Sequence, residues 1–167
     1  MSKDFFSKYT FKIKTVKSLG LVLKKFPRKK KVILCHGVFD VVHPGHVRHL
    51  AYAKTKADIL VVSITADRFI TKGIYRPHIP QKLRALNLAA FEMVDYVIID
   101  ENEIPHNLLL KLKPDYFAKG FEYSEKVLSK ATEAENKILS SYGGKSIFTP
   151  GDVIYSSTKF LNLTLPD

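Results

Sequence analysis

The feature that most constrains this chain is the alternation of short, fully apolar runs with amphipathic segments. Val32 to Cys35 reads Val-Ile-Leu-Cys without a polar interruption, the pattern of a strand covered on both faces. Asp58 to Thr65, with Ile-Leu-Val-Val-Ser-Ile inside, reads as a second buried strand, and Val94 to Ile99, Asp115 to Ala118 and Lys145 to Phe148 as a third, fourth and fifth. Between them the spacing predicts helices over Pro44 to Lys56, Pro80 to Glu92, Pro105 to Leu112 and Glu125 to Ser141. Shorter helices are expected at Ala66 to Thr71 and Ser156 to Leu163, and Gly143-Gly144 is an expected C-cap. Strands that alternate with helices pair in parallel, because each crossover consumes a helix. The expected fold is therefore α/β: a Rossmann-like, doubly wound, five-stranded parallel sheet with helices on both faces. No internal repeat or low-complexity segment interrupts it.

At 167 residues the chain is long enough for one domain with a proper core. Residues 1–30 read as a basic N-terminal extension with a helix from Thr15 to Phe26, Thr15 being its N-cap. Residues 31–163 form the expected domain, and 164–167 a tail that is either a packing segment or the edge of a longer chain. The lone cysteine, Cys35, excludes a disulfide framework and reads as a small buried hydrophobe. No stretch approaches a membrane span and the first residues lack a signal-peptide core, so a cytoplasmic location is expected.

The net charge of +11 is concentrated early, in Lys12, Lys14, Lys17, Lys24, Lys25, Arg28, Lys29, Lys30 and Lys31. Such a segment suits nucleic acid or an anionic membrane, or else is the solvated side of a helix. With no aromatic-plus-basic platform and no DNA-binding motif, neither nucleic acid nor membrane is expected as a partner.

His43-Pro44-Gly45-His46 opens the helix that follows the first apolar run, across the turn Gly37 to Val42. A strand, a glycine-containing turn and a helix N-terminus form an anion site, since backbone N–H groups and the helix dipole converge there. Pro44 suits the first helical turn, and Gly45 lets a phosphate approach the backbone. His43 and His46, three apart, share a helix face and reach one oxyanion together. Read singly, each is equally a cap or a solvated residue. Zinc is discounted, because no Glu, Cys or Asp cluster completes a tetrahedral set.

Other candidates fall where strands are expected to end. Asp67, Arg68 and Lys72 follow the second strand, with Arg76-Pro77 in the next loop and Arg84 on the helix after it. Lys119-Gly120-Phe-Glu-Tyr123 follows the fourth, and Ser156-Ser157-Thr158 follows the fifth and opens a helix. Arginine and lysine suit phosphate clamps, and a hydroxyl-rich helix start suits another phosphate. In parallel sheets, ligands bind at this carboxyl edge.

Together these residues resemble the cytidylyltransferase-like nucleotidyltransferases, the superfamily with an H-x-G-H signature. The resemblance spans about Val32 to Asn162. His36-Gly-Val-Phe-Asp-Val-Val-His-Pro-Gly-His46 is similar to the first signature and Tyr155-Ser-Ser-Thr-Lys159 to the second, in the same order and spacing. Arg76-Pro77 with Leu83-Arg84, Val94-Asp95-Tyr96-Val97, Lys119 to Tyr123 and Gly143-Gly144 bring the chain closest to the nucleotidyltransferase domain of heptose-phosphate adenylyltransferases. Glycerol-3-phosphate cytidylyltransferase is next in pattern. The second signature departs from the usual Ser-Thr-Thr, which bears on the sugar and the base more than on the reaction.

The resemblance implies transfer of a nucleoside monophosphate from a nucleoside triphosphate, ATP ahead of CTP, to a sugar or polyol phosphate. Pyrophosphate leaves in an in-line displacement. It assigns catalysis to His43, His46 and Lys72. Nucleotide contacts go to Gly37, Val38, Phe39, Asp40, Gly45, Lys119, Gly120, Ser156, Ser157 and Thr158. Arg76, Arg84 and Tyr123 are left for the acceptor or its phosphate. Magnesium would arrive with the triphosphate, with no dedicated protein metal site. A homo-oligomer, in the first instance a dimer, and a sugar kinase, fused or separate, are implied as partners. Two other readings stand beside it: a non-catalytic nucleotide-binding or regulatory domain on the same fold, and a basic nucleic-acid-binding protein.

Overall fold

The computed structural model describes residues 4–71, 73, 76–120 and 130–150. The predicted helix at 156–163, the tail, and the first residues of the helix predicted from 125 lie outside the described residues.

Among the described residues six parallel strands form one sheet in the order β1-β4-β3-β2-β5-β6: β1 Ile13–Lys14, β2 Val32–Gly37, β3 Ile59–Thr65, β4 Tyr96–Asp100, β5 Tyr116–Lys119 and β6 Lys145–Phe148. The α/β parallel architecture is as the sequence predicts, but the count of five is corrected to six. The extra strand comes from the stretch read as an extension, where Ile13 lies opposite Val97 and Lys14 opposite Ile98. Two residues are too few to show a strand period, so its pairing is set by tertiary contacts. One such contact is the Lys12 ammonium, which donates to the carbonyls of Phe91 at 3.0 Å and Val94 at 2.8 Å.

The helices are α1 Asp4–Thr10, α2 Val16–Leu23, α3 Pro44–Lys54, α4 Gln81–Ala89, α5 His106–Leu112 and α6 Lys130–Ser140, with a 3₁₀ turn at Asp67–Phe69. Thr15 caps α2 as expected: its hydroxyl accepts from the Ser18 N–H at 3.1 Å, while Ser18 Oγ accepts from the Thr15 N–H at 3.0 Å. Both helix donors that would otherwise face water unpaired are thereby satisfied.

Alternation along the strands splits the core in two. Ile33, Cys35, Leu60, Val62 and Val97 face α3 and α4, packing on Leu50, Ala53, Ala85 and Leu88. Leu34, Val61, Ile98 and Phe117 face α2, α5 and α6, packing on Leu19, Leu23, Leu108, Leu109 and Leu139. Cys35 is buried and free, and burial pushes its thiol pKa up. Arg28, also from the basic stretch, donates to the Leu112 and Lys113 carbonyls at 2.6 and 2.8 Å and so closes the end of α5.

From β2 the chain winds outward through β3 and β4, then returns to β2's other side as β5. That reversal lies between β2 and β5, and α3 starts just beyond the carboxyl end of β2, where a doubly wound sheet binds ligands. Because Leu19 is fully buried, Leu19→Ala is expected to destabilise the domain by about 2–5 kcal/mol. Chemical denaturation checks this, and a near-wild-type midpoint would make residues 12–23 a detachable appendage.

Candidate active site

His43 is the N-cap of α3, extended at φ −131° and ψ 169°, with Pro44 in the first helical turn. Its carbonyl accepts from the N–H groups of His46 at 2.9 Å and Val47 at 3.2 Å. Two of the backbone donors expected at this helix start are therefore already used, and the imidazoles become the principal groups. The three-residue spacing stacks their rings, with centroids 3.8 Å apart and planes 28° from parallel. Phe39 supports the stack from the other side, its ring 4.9 Å from that of His46. Phe39 is buried and holds φ at 49°, a left-handed conformation that costs a bulky residue about 1–2 kcal/mol. Gly37 makes room for it, since a Cβ there would lie 3.2 Å from the Phe39 ring.

Neither His43 Nδ1 nor His46 Nδ1 has a partner among the described residues, although both are buried atoms. Burial pushes the His46 pKa down to about 4; the neighbouring His43 and His49 add to the shift, and a backbone hydrogen bond with Val41 opposes it. Burial also lowers that of His43. Near neutral pH both rings are uncharged, and an oxyanion placed against them favours their protonated forms.

Arg84 is corrected from a ligand contact to an internal clamp. Its guanidinium is fully buried and engaged: Nε donates to the Ile79 carbonyl at 2.9 Å, Nη1 to the Val38 carbonyl, and Nη2 to the Thr65 carbonyl at 2.9 Å and Asp67 Oδ1 at 2.6 Å. It binds the turn after β2, the end of β3 and the loop before α4 to one another. Asp67 and Gln81 bridge the same segments reciprocally, backbone to side chain, at 2.8 and 3.0 Å. Asp40, buried in the turn, accepts from the Ile79 N–H at 2.9 Å and pairs with Arg76 at 3.4 Å. Asp40 thus fixes the loop that carries Arg76 beside the histidine turn.

Lys119 is also turned inward, its ammonium on Thr132 Oγ1 at 2.8 Å and on the Glu135 carboxylate. Gly120 follows it at the end of β5. Gly45 holds the second position of α3, and Val38 contributes its carbonyl to Arg84. Lys72, Tyr123, Ser156, Ser157 and Thr158 lie outside the described residues.

Three polar groups escaped the sequence reading. His36 is the penultimate residue of β2, with Nδ1 2.8 Å from Ser63 Oγ, and burial with the Lys119 charge pushes its pKa down to about 4. Asp100, fully buried at the end of β4, accepts from the Asn102 side chain at 2.7 Å. His49 meets Thr149 Oγ1 at 2.5 Å; of the three, only His49 announced itself, by repeating the spacing of the His43 and His46 pair. Among the described residues no three His, Cys, Asp or Glu groups converge as a metal site. Likewise, no helix among them is long and apolar enough to cross a membrane.

A sequence profile described as cytidylyltransferase-like matches residues 34–159. The chain belongs to the cytidylyltransferase-like family. Two family relatives are both named Bifunctional protein HldE. That of Campylobacter concisus (strain 13826) is 36% identical over 149 residues, 87% of this chain and 31% of its own. That of Campylobacter jejuni subsp. doylei is 39% identical over 119 residues, 70% of this chain and 25% of its own. The chain thus spans about a third of the length of the curated relatives it matches. Among solved structures, a lipopolysaccharide core biosynthesis protein from Thermoplasma volcanium superposes with a TM-score of 0.62 at 21% identity, over 74% of this chain and 99% of that one. Pantoate-beta-alanine ligase from Francisella tularensis superposes at 0.56 and 15% identity, over 91% and 73%. At those identities the two structures show the fold alone.

Two outcomes follow for the stability of the site. Removing Arg84 strands the Asp67 carboxylate and three carbonyls, so Arg84→Ala is expected to cost about 3–5 kcal/mol, read by denaturant midpoint; a loss below about 1 kcal/mol would place Arg84 on the surface. His36 and His46 take up protons near pH 6.5 when unfolded but only near pH 4 when folded. The unfolded state therefore binds protons first, and stability falls as pH drops from 6.5 to 4. The double variant His36→Gln/His46→Gln is expected to flatten that slope.

Proposed function

We propose that this domain is a nucleotidyltransferase, moving a nucleoside monophosphate from a nucleoside triphosphate to a sugar or polyol phosphate with release of pyrophosphate. Family membership supports the reaction class. The observation that carries it to this chain is the stacked pair of imidazoles at the start of α3, whose Nδ1 atoms have no partner among the described residues, set at the reversal of strand order. Two desolvated rings that a phosphate oxyanion drives to their protonated form act as preorganised donors toward charge that develops on it, where low dielectric makes each bond worth most.

In this reading an oxygen of the acceptor phosphate attacks the α-phosphorus in line. It forms the new P–O bond as the bond to pyrophosphate breaks. The nucleophile is already anionic, so no general base is needed, and catalysis consists of alignment and charge neutralisation. His43 and His46 stabilise the phosphate oxygens. Arg76, held by Asp40 at the rim, meets the acceptor or the triphosphate. Lys72 shares the charge stabilisation, Tyr123 contacts the acceptor, and the Ser156 to Thr158 segment grips the β- and γ-phosphates. Gly37 to Asp40, Gly45 and Lys119-Gly120 shape the nucleotide pocket through backbone and packing.

Magnesium enters with the triphosphate. Mg²⁺ prefers oxygen ligands and keeps several waters, which suits a histidine-rich site where the Asp40 carboxylate is already engaged. ATP is favoured over CTP on the heptose-phosphate adenylyltransferase resemblance, and a sugar kinase, fused or separate, is the natural supplier of the acceptor. The same proposal includes a homodimer and a cytoplasmic location.

Pyrophosphate release with magnesium, across four nucleoside triphosphates and a panel of sugar-1-phosphates and polyol phosphates, tests the reading. Acceptor-dependent release with one nucleotide is expected, and His46→Ala is expected to lower kcat about 100- to 1,000-fold. Absence of both release and triphosphate binding would overturn the proposal, and full turnover by folded His46→Ala would remove the histidine from it.

A further inference from the structure

Three successive turns of α3 carry histidines, at 43, 46 and 49. The third is bonded to a residue 100 positions away: His49 Nδ1 lies 2.5 Å from Thr149 Oγ1. Thr149 directly follows β6 and is buried. Its N–H donates to the Lys119 carbonyl at 2.9 Å, extending the β5–β6 ladder by one bond, and its hydroxyl donates to the same carbonyl at 3.2 Å. A hydroxyl has one proton. With that proton directed at the Lys119 carbonyl, the Thr149 oxygen accepts from His49 Nδ1–H. A continuous path of hydrogen bonds then joins α3, the end of β6 and the end of β5.

The path meets a mechanical need. The buried residues of α3 are Leu50 and Ala53, both in its second half. The first half, which presents His43 and His46, has no fully buried apolar anchor of its own. Its tethers include the Phe39 contact to His46, the hydrogen bond between His46 and the Val41 backbone, and the His49 bond to Thr149. On the far side, Thr149 is the last of the described residues whose N–H joins the β5–β6 ladder.

We infer that His49 and Thr149 are a positioning pair that sets the distance between the His43–His46 helix start and the ends of β5 and β6, and so determines the affinity for the triphosphate. This rests on the nucleotidyltransferase reading above. Neither residue touches the phosphates; both act through the elements they join.

Calorimetric binding of the magnesium complexes of α,β-methylene ATP and α,β-methylene CTP to the full chain tests it, with KM for triphosphate and acceptor measured in parallel. His49→Leu and Thr149→Val are each expected to weaken triphosphate binding about tenfold, the effect of one lost buried hydrogen bond, with the acceptor KM unchanged. The double variant is expected to be no worse than the weaker single variant, because one bond is lost once. Thr149→Ser keeps the hydroxyl and His49→Asn keeps a donor near the Nδ1 position; both are expected within about twofold of wild type. Unchanged affinity in folded variants, additive losses in the double, or a parallel rise in both KM values would overturn the inference while leaving the nucleotidyltransferase reading intact. Failure of the wild-type chain to bind either analogue would overturn both.

Discussion

One buried guanidinium organises the carboxyl edge of this sheet. Three loops meet there, each ending a buried strand or opening a helix, and each exposes carbonyls that no ladder can satisfy. Arg84 supplies donors in a planar fork and takes the carbonyls of Val38, Thr65 and Ile79 together with the Asp67 carboxylate. A lysine has too few directions for that set, and an apolar residue would leave the carbonyls stranded in the interior. Because Val38 lies in the turn that leads to His43, the placement of the histidine pair follows from this clamp. Asp40 does the same from the other side of the turn through Ile79 and Arg76.

The histidines acquire their properties from that placement. Imidazoles exposed at a helix start would titrate near neutrality and bind water. Stacked 3.8 Å apart against Phe39, they lose solvent and stay neutral. The neutral state lowers the cost of holding two rings together, while a polyphosphate ligand supplies the charge that protonates them. Affinity and protonation are therefore linked in one site. The strained Phe39 backbone and the missing Cβ at Gly37 are local costs of that arrangement.

Much of this was legible in the chain because the physics is local. Val32 to Cys35 is apolar on both faces and forms a central strand; Pro44 marks the start of α3, and Thr15 caps α2. What escaped depends on partners distant in sequence. Ile13–Lys14 is a strand only because Val97 and Ile98 lie beside it. In α4 the apolar pattern misleads outright, since Leu83 is 52% exposed and Arg84 is fully buried. The inversion arises because the clamp's acceptors come from loops up to 46 residues away. Lys119 reads as a phosphate ligand until Glu135, on the next helix, claims it. Three of the nine early basic residues, Lys12, Arg28 and Lys31, likewise turn out to tie the fold together.

The central claim is that the fold holds a neutral, desolvated histidine pair for phosphate to charge. Histidine ring NMR across pH, with and without a non-hydrolysable magnesium triphosphate, measures it directly. The account predicts a His46 midpoint near pH 4 in the free protein, moving above about 6.5 when the triphosphate is bound. A free-state midpoint near 6.5, or one that the triphosphate leaves unmoved, would contradict it.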